Sequence, residues 1–127
     1  MRRSLIVLSL GTLIGLAVAS LYWRGTQQRS KFLFDQNVKC QQIAKQYEAE
    51  NRAAVLKVAY SPSRNSCIAE VTRPPENGGI FFSVDDLLSG EQLFSGRCTV
   101  GEFLNNDSEK FKTISKDQDA TFAHFAR

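Results

Sequence analysis

The sequence is poor in the residues from which most catalytic sites are built. Its 127 residues include one histidine, His124, three residues from the C-terminus. A Ser-His-Asp or Cys-His mechanism would have no other imidazole base. The pair Gly78-Gly79 is not followed by a strand-to-helix pattern, so it does not match a phosphate-binding loop. We predict neither an enzyme nor a bound cofactor.

Cysteine is also scarce, and its spacing excludes the usual zinc site. The cysteines are Cys40, Cys67 and Cys98. Together with His124 they match the composition of a Cys₃His site, but successive members are separated by 27, 31 and 26 positions. Structural zinc sites usually contain a close pair such as C-x₂-C. No metal site is predicted.

A surplus of positive charge is missing as well. The chain has 16 basic and 13 acidic residues. Its first 23 residues contain Arg2 and Arg3 and no acid, which leaves 14 basic and 13 acidic residues, a formal charge of +1, for the remainder. No Lys/Arg-rich run interleaved with aromatic residues follows, so nucleic acid is not a predicted partner.

The chain does contain a run of twenty uncharged residues, 4–23, between Arg3 and Arg24. In a helix such a run is about 30 Å long, the hydrocarbon thickness of a bilayer. Ten of the twenty are Leu, Ile or Val, and each favours insertion by roughly 0.3 to 0.6 kcal/mol. Tyr22 and Trp23 beside Arg24 are typical of the headgroup boundary. We predict a retained transmembrane helix over 4–23 that contacts the lipid bilayer.

A cleaved secretory signal is the alternative. The basic start, the apolar stretch 5–16 and the small-residue site 17–19 match such a signal, and cleavage following Ala19 would release a secreted protein. Hydrophobicity continues through Leu21 to Trp23, which favours retention. Both alternatives remain open from the sequence.

The flanking charges orient the span only weakly. Two arginines precede it, and Arg24, Arg29 and Lys31 follow it. The numbers of basic residues on the two sides are therefore nearly equal, and the positive-inside rule gives little preference for either orientation. A basic tail of residues 1–3 before a first apolar segment is typical of signal-anchors. We therefore predict a single-pass membrane protein whose domain lies outside the cytoplasm.

Small residues recur at intervals of four within the span. Gly11, Gly15 and Ala19 form a small-xxx-small ridge that permits close approach of two helices, and hence a homodimer. Such spacing also arises by chance in apolar helices. The dimer is one of two interpretations.

The rest of the chain predicts an α+β domain over 35–127, joined to the span by a linker or helix over 24–34. An amphipathic helix begins near Asp35 as N-cap and ends around Asn51. Its apolar face contains Cys40, Ile43, Ala44 and Tyr47 at i, i+3, i+4 and i+7.

After Asn51 the apolar period changes to two, which predicts four strands. They cover 54–60, 67–71, 80–88 and 93–100, and turn-forming residues separate them at 61–65, 74–79 and 89–92. The helix is expected to pack on this antiparallel meander. A short C-terminal helix, capped by Asp107 and bearing Phe111 and Ile114, completes the prediction.

Facing the helix toward the sheet places Cys40 over the second strand. We predict a disulfide between Cys40 and Cys67, with a contribution of about 3 to 4 kcal/mol on the chain-entropy model, and a free thiol at Cys98. A Cys67–Cys98 bond is disfavoured because strands two and four of a meander lie about 9 to 10 Å apart. Three buried, reduced cysteines are the alternative.

Asp85 and Asp86 are the only adjacent pair of carboxylates. Neighbouring strand residues point to opposite faces, so the two do not converge on one ligand. We expect one to be solvated and the other to face the following turn.

Three stretches, 40–44, 60–67 and 86–91, resemble short single-span proteins of bacterial genomes, a resemblance that implies no activity and no functional residue. The predicted order of span, helix and four-stranded antiparallel sheet is similar to that of type IV pilins and pseudopilins. The chain departs from them because it has no Gly-Phe junction before the span and no acidic residue within it.

The predicted function is that of a non-enzymatic, membrane-anchored interaction or structural module. An exposed edge or face of the sheet would engage another envelope protein. Two alternatives follow from the same residues: a thiol-based redox protein or sensor that uses the unpaired cysteine, and a pilin-like envelope component that lacks the processing motif.

Overall fold

The computed structural model describes the backbone of residues 2–76, 78–105 and 108–127 and the side chains of 17–74, 78–105 and 108–127. In chain order, the elements in these ranges are α1 (Arg2–Asn51), β1 (Ala54–Ser61), β2 (Ser66–Glu76), β3 (Gly79–Asp86), β4 (Gln92–Thr99), α2 (Val100–Leu104) and α3 (Glu109–Phe125). The chain forms two compact units, Met1–Asp35 and Gln36–Arg127.

The first unit is helical where it is described. All side chains of residues 17–32 are exposed. The hydroxyls of Ser20, Thr26 and Ser30 donate to helix carbonyls three residues earlier, at 2.8, 2.8 and 3.0 Å. Because these polar groups are satisfied within the helix, the segment 24–34 is compatible with helix. Asp35 lies inside α1 rather than at a helix start, so its prediction as an N-cap is wrong.

Among the residues with described side chains, no helix is both long and apolar enough to cross a bilayer. Residues 4–16 of the predicted span, which include Gly11 and Gly15, lie outside that range. The span and its packing ridge therefore stay predictions.

The second unit contains a four-stranded antiparallel sheet in the order β1-β2-β3-β4. Tyr60 pairs with Cys67, and Ile80 pairs with Cys98. The turn between β3 and β4 contains Gly90 with φ at 73°, a backbone conformation that glycine adopts without strain. The predicted α+β fold, a four-stranded meander with a helix packed on it, is confirmed.

Two strands end earlier than the sequence predicts. The apolar period extends strand four to Val100, but a capping box makes Val100 the first residue of α2. The Thr99 hydroxyl accepts from Glu102 N at 3.2 Å, and the Glu102 carboxylate accepts from Thr99 N at 2.7 Å. Strand β3 ends at Asp86 rather than Leu88.

The C-terminal helix is the main departure from the predicted fold. It is 17 residues long rather than short, and Ser108 is its N-cap. The predicted cap, Asp107, lies outside the described residues. Helix α3 packs on the face of the sheet opposite α1. There Phe111 and Ile114 of α3, with Phe103 of α2, contact the buried residues Ile80, Phe82 and Cys98.

Gln118 lies at the buried centre of α3, where the apolar period calls for a hydrophobic residue. It is 4% exposed. Its amide donates to the carbonyls of Val71 and Ser83, at 3.4 and 2.9 Å, and these two residues are register partners in β2 and β3. The sheet backbone thus provides hydrogen-bond partners for the buried Gln118 amide. Because Gln118 is polar, it interrupts the apolar period from which the full length of the helix could have been predicted.

Candidate functional site

The cysteines divide between the two faces of the sheet. Cys40 of α1 and Cys67 of β2 form a disulfide with their Cα atoms 5.4 Å apart, which is the pairing predicted from the sequence. Cys98 is a free thiol, 1% exposed, in the core beneath α3. Burial, and secondarily Glu102, raises the pKa of Cys98. A reactive thiol requires exposure and a lowered pKa, and Cys98 has neither.

A polar cluster links α1 to the sheet. It consists of Tyr47 in α1, Arg73 in β2 and Asp85 in β3, and we refer to these three residues as the Arg73 cluster. The Arg73 guanidinium donates to Asp85 Oδ2 at 2.7 Å and to the Tyr47 hydroxyl oxygen at 2.7 Å. Tyr47 in turn donates to Asp85 Oδ2 at 3.0 Å. A second guanidinium nitrogen donates to the Ser83 hydroxyl at 2.9 Å.

The charges of the Arg73 cluster suit it to fixing structure rather than to proton transfer. Burial raises the pKa of Tyr47, and Asp85 raises it further. Although burial lowers the pKa of Arg73, the attraction of Asp85 and Tyr47 raises it overall. Both groups therefore stay protonated near neutral pH, whereas a general base needs a pKa near the working pH.

Asp85 keeps one oxygen out of reach of solvent and of hydrogen-bond donors. Its Oδ1 is buried and has no partner among the described residues. A cavity of about 260 Å³, lined among others by Tyr47, Arg73 and Gln92, lies beside the cluster. Because Oδ1 is buried, it is not available to a ligand in this cavity. Such a ligand could contact Arg73 and Tyr47, but both already have hydrogen-bond partners within the cluster.

Asp86 belongs to a separate network at the turns. It accepts from the Ser66 hydroxyl, from Arg64 Nε at 3.2 Å, and from the backbone N–H groups of Leu88 and Ser89 at 3.2 and 3.1 Å. Burial alone would raise the pKa of Asp86, but these hydrogen bonds hold it below its usual range. Arg64 also contacts Glu91, which ties the β1–β2 turn to the β3–β4 turn.

The adjacent carboxylates are thus separated as predicted but are both buried. Asp85 faces α1 and Asp86 faces the turns. Their exposures are 6% and 2%, so the expectation of one solvated carboxylate is wrong. Arg73 and the Tyr47 hydroxyl compensate the desolvation of Asp85 through one oxygen. Arg64, the Ser66 hydroxyl and two backbone N–H groups compensate that of Asp86.

The two edge strands of the sheet, β1 and β4, differ in how other elements contact their backbone. At the β1 edge, α1 supplies two acceptors: Glu48 accepts from Val55 N at 2.7 Å, and Asn37 accepts from Tyr60 N at 2.9 Å. The opposite edge is β4, which pairs with β3 alone among the described strands. Its exposed residues are Gln92, Ser95, Arg97 and Thr99.

The side chain of Arg97 in β4 lies across the neighbouring strand, β3. Its guanidinium is 4.9 Å from the centre of the Phe81 ring. A Cβ atom added to Gly79 would overlap the Arg97 side chain, so any larger residue there would require Arg97 to move.

The remaining predicted residues fall in different places. Tyr22, Trp23 and Arg24 are exposed on α1, as is Ala19. His124 is exposed on α3 with its ring 4.8 Å from that of Phe125. Within the described ranges, no group of three or more His, Cys, Asp and Glu lies close enough to hold a metal ion.

The sequence did not identify the Arg73 cluster or Gln118. The cluster joins residues from three elements, and no local spacing relates them. No known family matches the chain. Comparison with solved structures and with curated proteins likewise gives no match, so the functional proposal depends on the geometry of the described residues.

Proposed function

We propose that this protein is a non-enzymatic, membrane-anchored interaction module whose domain lies outside the cytoplasm. The observation that carries the proposal is the composition of α1. This single helix contains exposed Val18, Leu21, Tyr22 and Trp23 in its first part and the disulfide-bonded Cys40 further along. Exposed apolar and aromatic residues next to a charge-free run favour lipid contact, and a disulfide favours an oxidising compartment.

The chemistry of the second unit supports a binding role over catalysis. Its one free thiol is buried and has a raised pKa, which argues against the alternative of a thiol-based sensor. The Arg73 cluster holds groups that stay protonated. The pilin-like alternative has the order of helix and sheet in its favour, but the predicted span 4–23 contains no acidic residue.

Within this function, we assign partner contact to the β4 edge. Both faces of the sheet are covered, by α1 and by α3, and α1 side chains occupy N–H groups along the β1 edge. An uncovered edge strand offers backbone donors and acceptors that complement an extended segment of another polypeptide. The partner is another envelope protein or a second copy of this chain.

Membrane attachment is tested by fractionating cells that produce the full chain. After an alkaline carbonate wash, the wild type should stay with the membranes. A Leu10→Arg/Leu13→Arg variant should be released, since each central arginine costs about 2.5 to 3.5 kcal/mol of insertion. The matched control, Leu56→Arg/Leu88→Arg, changes two exposed residues of the second unit and should stay bound. Release of the wild type would contradict the anchor.

The side of the membrane is tested by counting thiols in the same cells. Under denaturing conditions, a maleimide reagent should label one cysteine before reduction and three after it. Three labelled cysteines before reduction would place the domain in a reducing compartment. The mass of the mature N-terminus separates a retained anchor from cleavage following Ala19.

The β4 assignment is tested with a photo-crosslinking amino acid at Ser95. Exposed Lys116 on α3 is the control position. Adducts should form from position 95 and not from position 116, and an adduct of twice the chain mass would identify a homodimer. Equal labelling from both positions would reject the edge as the contact.

A further inference from the structure

Residues 17–35 of the first unit contain three basic side chains, and none of them forms an ion pair with another described residue. Arg24, Arg29 and Lys31 are exposed on α1, and no acidic residue precedes Asp35. Asp35 follows Lys31 by four residues, a spacing that permits a helical ion pair. Within the described residues, however, none of the three cations has an ion pair or a hydrogen bond.

These cations lie on two sides of the helix next to the predicted membrane boundary. Arg24 directly follows Trp23, and Lys31 lies about 10 Å further along the helix axis, about one Debye length at moderate salt. Arg24 and Lys31 are seven residues apart and share a side of the helix, whereas Arg29 points away from them. We call the three residues the cationic collar.

The direction of the side chains favours the boundary as well. In an α-helix each Cα–Cβ bond tilts toward the N-terminus, which here is the direction of Trp23. Long basic side chains extend along this direction and place their charges at an interface. Their polar neighbours do not compete for a ligand, because the hydroxyls of Thr26 and Ser30 donate to helix carbonyls.

We propose that the cationic collar binds the phosphates of anionic lipid headgroups. The proposal depends on the membrane anchor proposed above and adds the class of lipid to it. Charge complementarity carries it: three unpaired cations lie within reach of the headgroup layer, where each basic residue near an anionic surface contributes to attraction. Guanidinium and ammonium groups also donate charge-assisted hydrogen bonds to phosphate oxygens.

The test uses Trp23, the only tryptophan of the chain, as the probe. The full chain is reconstituted in vesicles of phosphatidylcholine and phosphatidylglycerol, with bromine atoms on the upper acyl chain of one lipid or the other. Quenching of Trp23 as lipid composition varies gives the relative affinity for the two headgroups. We expect the affinity for phosphatidylglycerol to exceed that for phosphatidylcholine by about fivefold, which is the ratio produced by the attraction of about one basic residue to an anionic surface. This preference should fall in 0.5 M salt, which screens the attraction.

A triple variant, Arg24→Gln/Arg29→Gln/Lys31→Gln, should reduce the preference to about one. The control, Lys39→Gln/Lys45→Gln/Lys116→Gln, removes the same charge from exposed residues of the other unit and should keep it. Strong but equal quenching by both brominated lipids would contradict the proposed lipid preference of the cationic collar and would remain consistent with a membrane anchor. Absence of quenching by either lipid would contradict the anchor itself.

Discussion

The two faces of the sheet are held by different interactions. On the α1 face, the helix contributes small buried residues, Cys40 and Ala44, and is fixed by one disulfide and by the Arg73 cluster. On the α3 face, the rings of Phe82, Phe103 and Phe111 pack with centroids 5.4 to 6.1 Å apart. Helix α1 is therefore attached mainly by specific bonds. Helix α3 is attached mainly by apolar area, to which the Gln118 hydrogen bonds and the Lys57–Asp119 ion pair are added.

This difference decides which conditions would release each helix. A disulfide and a buried ion pair respond to reductant and to loss of one partner. Aromatic packing depends on the area removed from water and responds to neither. We therefore expect α1 to be detachable from a sheet that keeps α3 in place.

Removing the disulfide should have the largest effect. The bond joins residues 27 positions apart, and the Cys40→Ser/Cys67→Ser variant should lower the free energy of unfolding by about 3 to 4 kcal/mol. Urea unfolding of the full chain in detergent micelles, followed by circular dichroism, measures it. Amide exchange should accelerate in residues 36–51 more than in α3. A Cys98→Ala control should leave exchange in residues 36–51 unchanged.

Breaking the Arg73 cluster should rank second. Arg73→Gln leaves the Asp85 carboxylate buried without its cation, and we expect a loss of about 2 kcal/mol, below the value for a fully buried pair because Arg73 is partly exposed. Arg52→Gln changes an exposed arginine and is the control. Faster exchange of α3 than of residues 36–51 in the Arg73 variant would contradict the division between the faces.

The α3 face should respond to lost apolar volume more than to lost polarity. Ile114 is partly buried against Ile80, Phe82 and Cys98, and changing it to alanine should lower the free energy of unfolding by about 2 kcal/mol. Gln118→Met keeps the volume and removes two amide hydrogen bonds, so we expect about 1 kcal/mol or less. The same urea unfolding ranks the two variants. The reverse order would show that α3 is held by its polar contacts.

Particular residues explain what the sequence could predict. The Cys40–Cys67 bond followed from helical spacing and strand alternation, and the four strands followed from strong turn residues between them. The length of α3 was missed because Gln118 occupies the buried position at its centre. The Arg73 cluster was missed because Tyr47, Arg73 and Asp85 meet only after helix packing and strand register are set, and neither leaves a local pattern.

Changing Asp86 should have a smaller effect than removing the disulfide or Arg73, and it tests the turn network separately from both faces of the sheet. Its pKa in the folded chain lies below the usual value of 3.8, so its contribution to stability is complete above that value and is lost as pH falls through the folded pKa. Asp86→Asn should therefore destabilise by about 1 kcal/mol at neutral pH, with the difference from wild type shrinking below about pH 4. Urea midpoints at pH 7, 5, 4 and 3 measure the trend. Asp117→Asn, at an exposed position of α3, is the control and should change stability by at most about 0.5 kcal/mol at pH 7. A constant penalty for Asp86→Asn down to pH 3 would mean that its carboxylate acts through shape rather than charge.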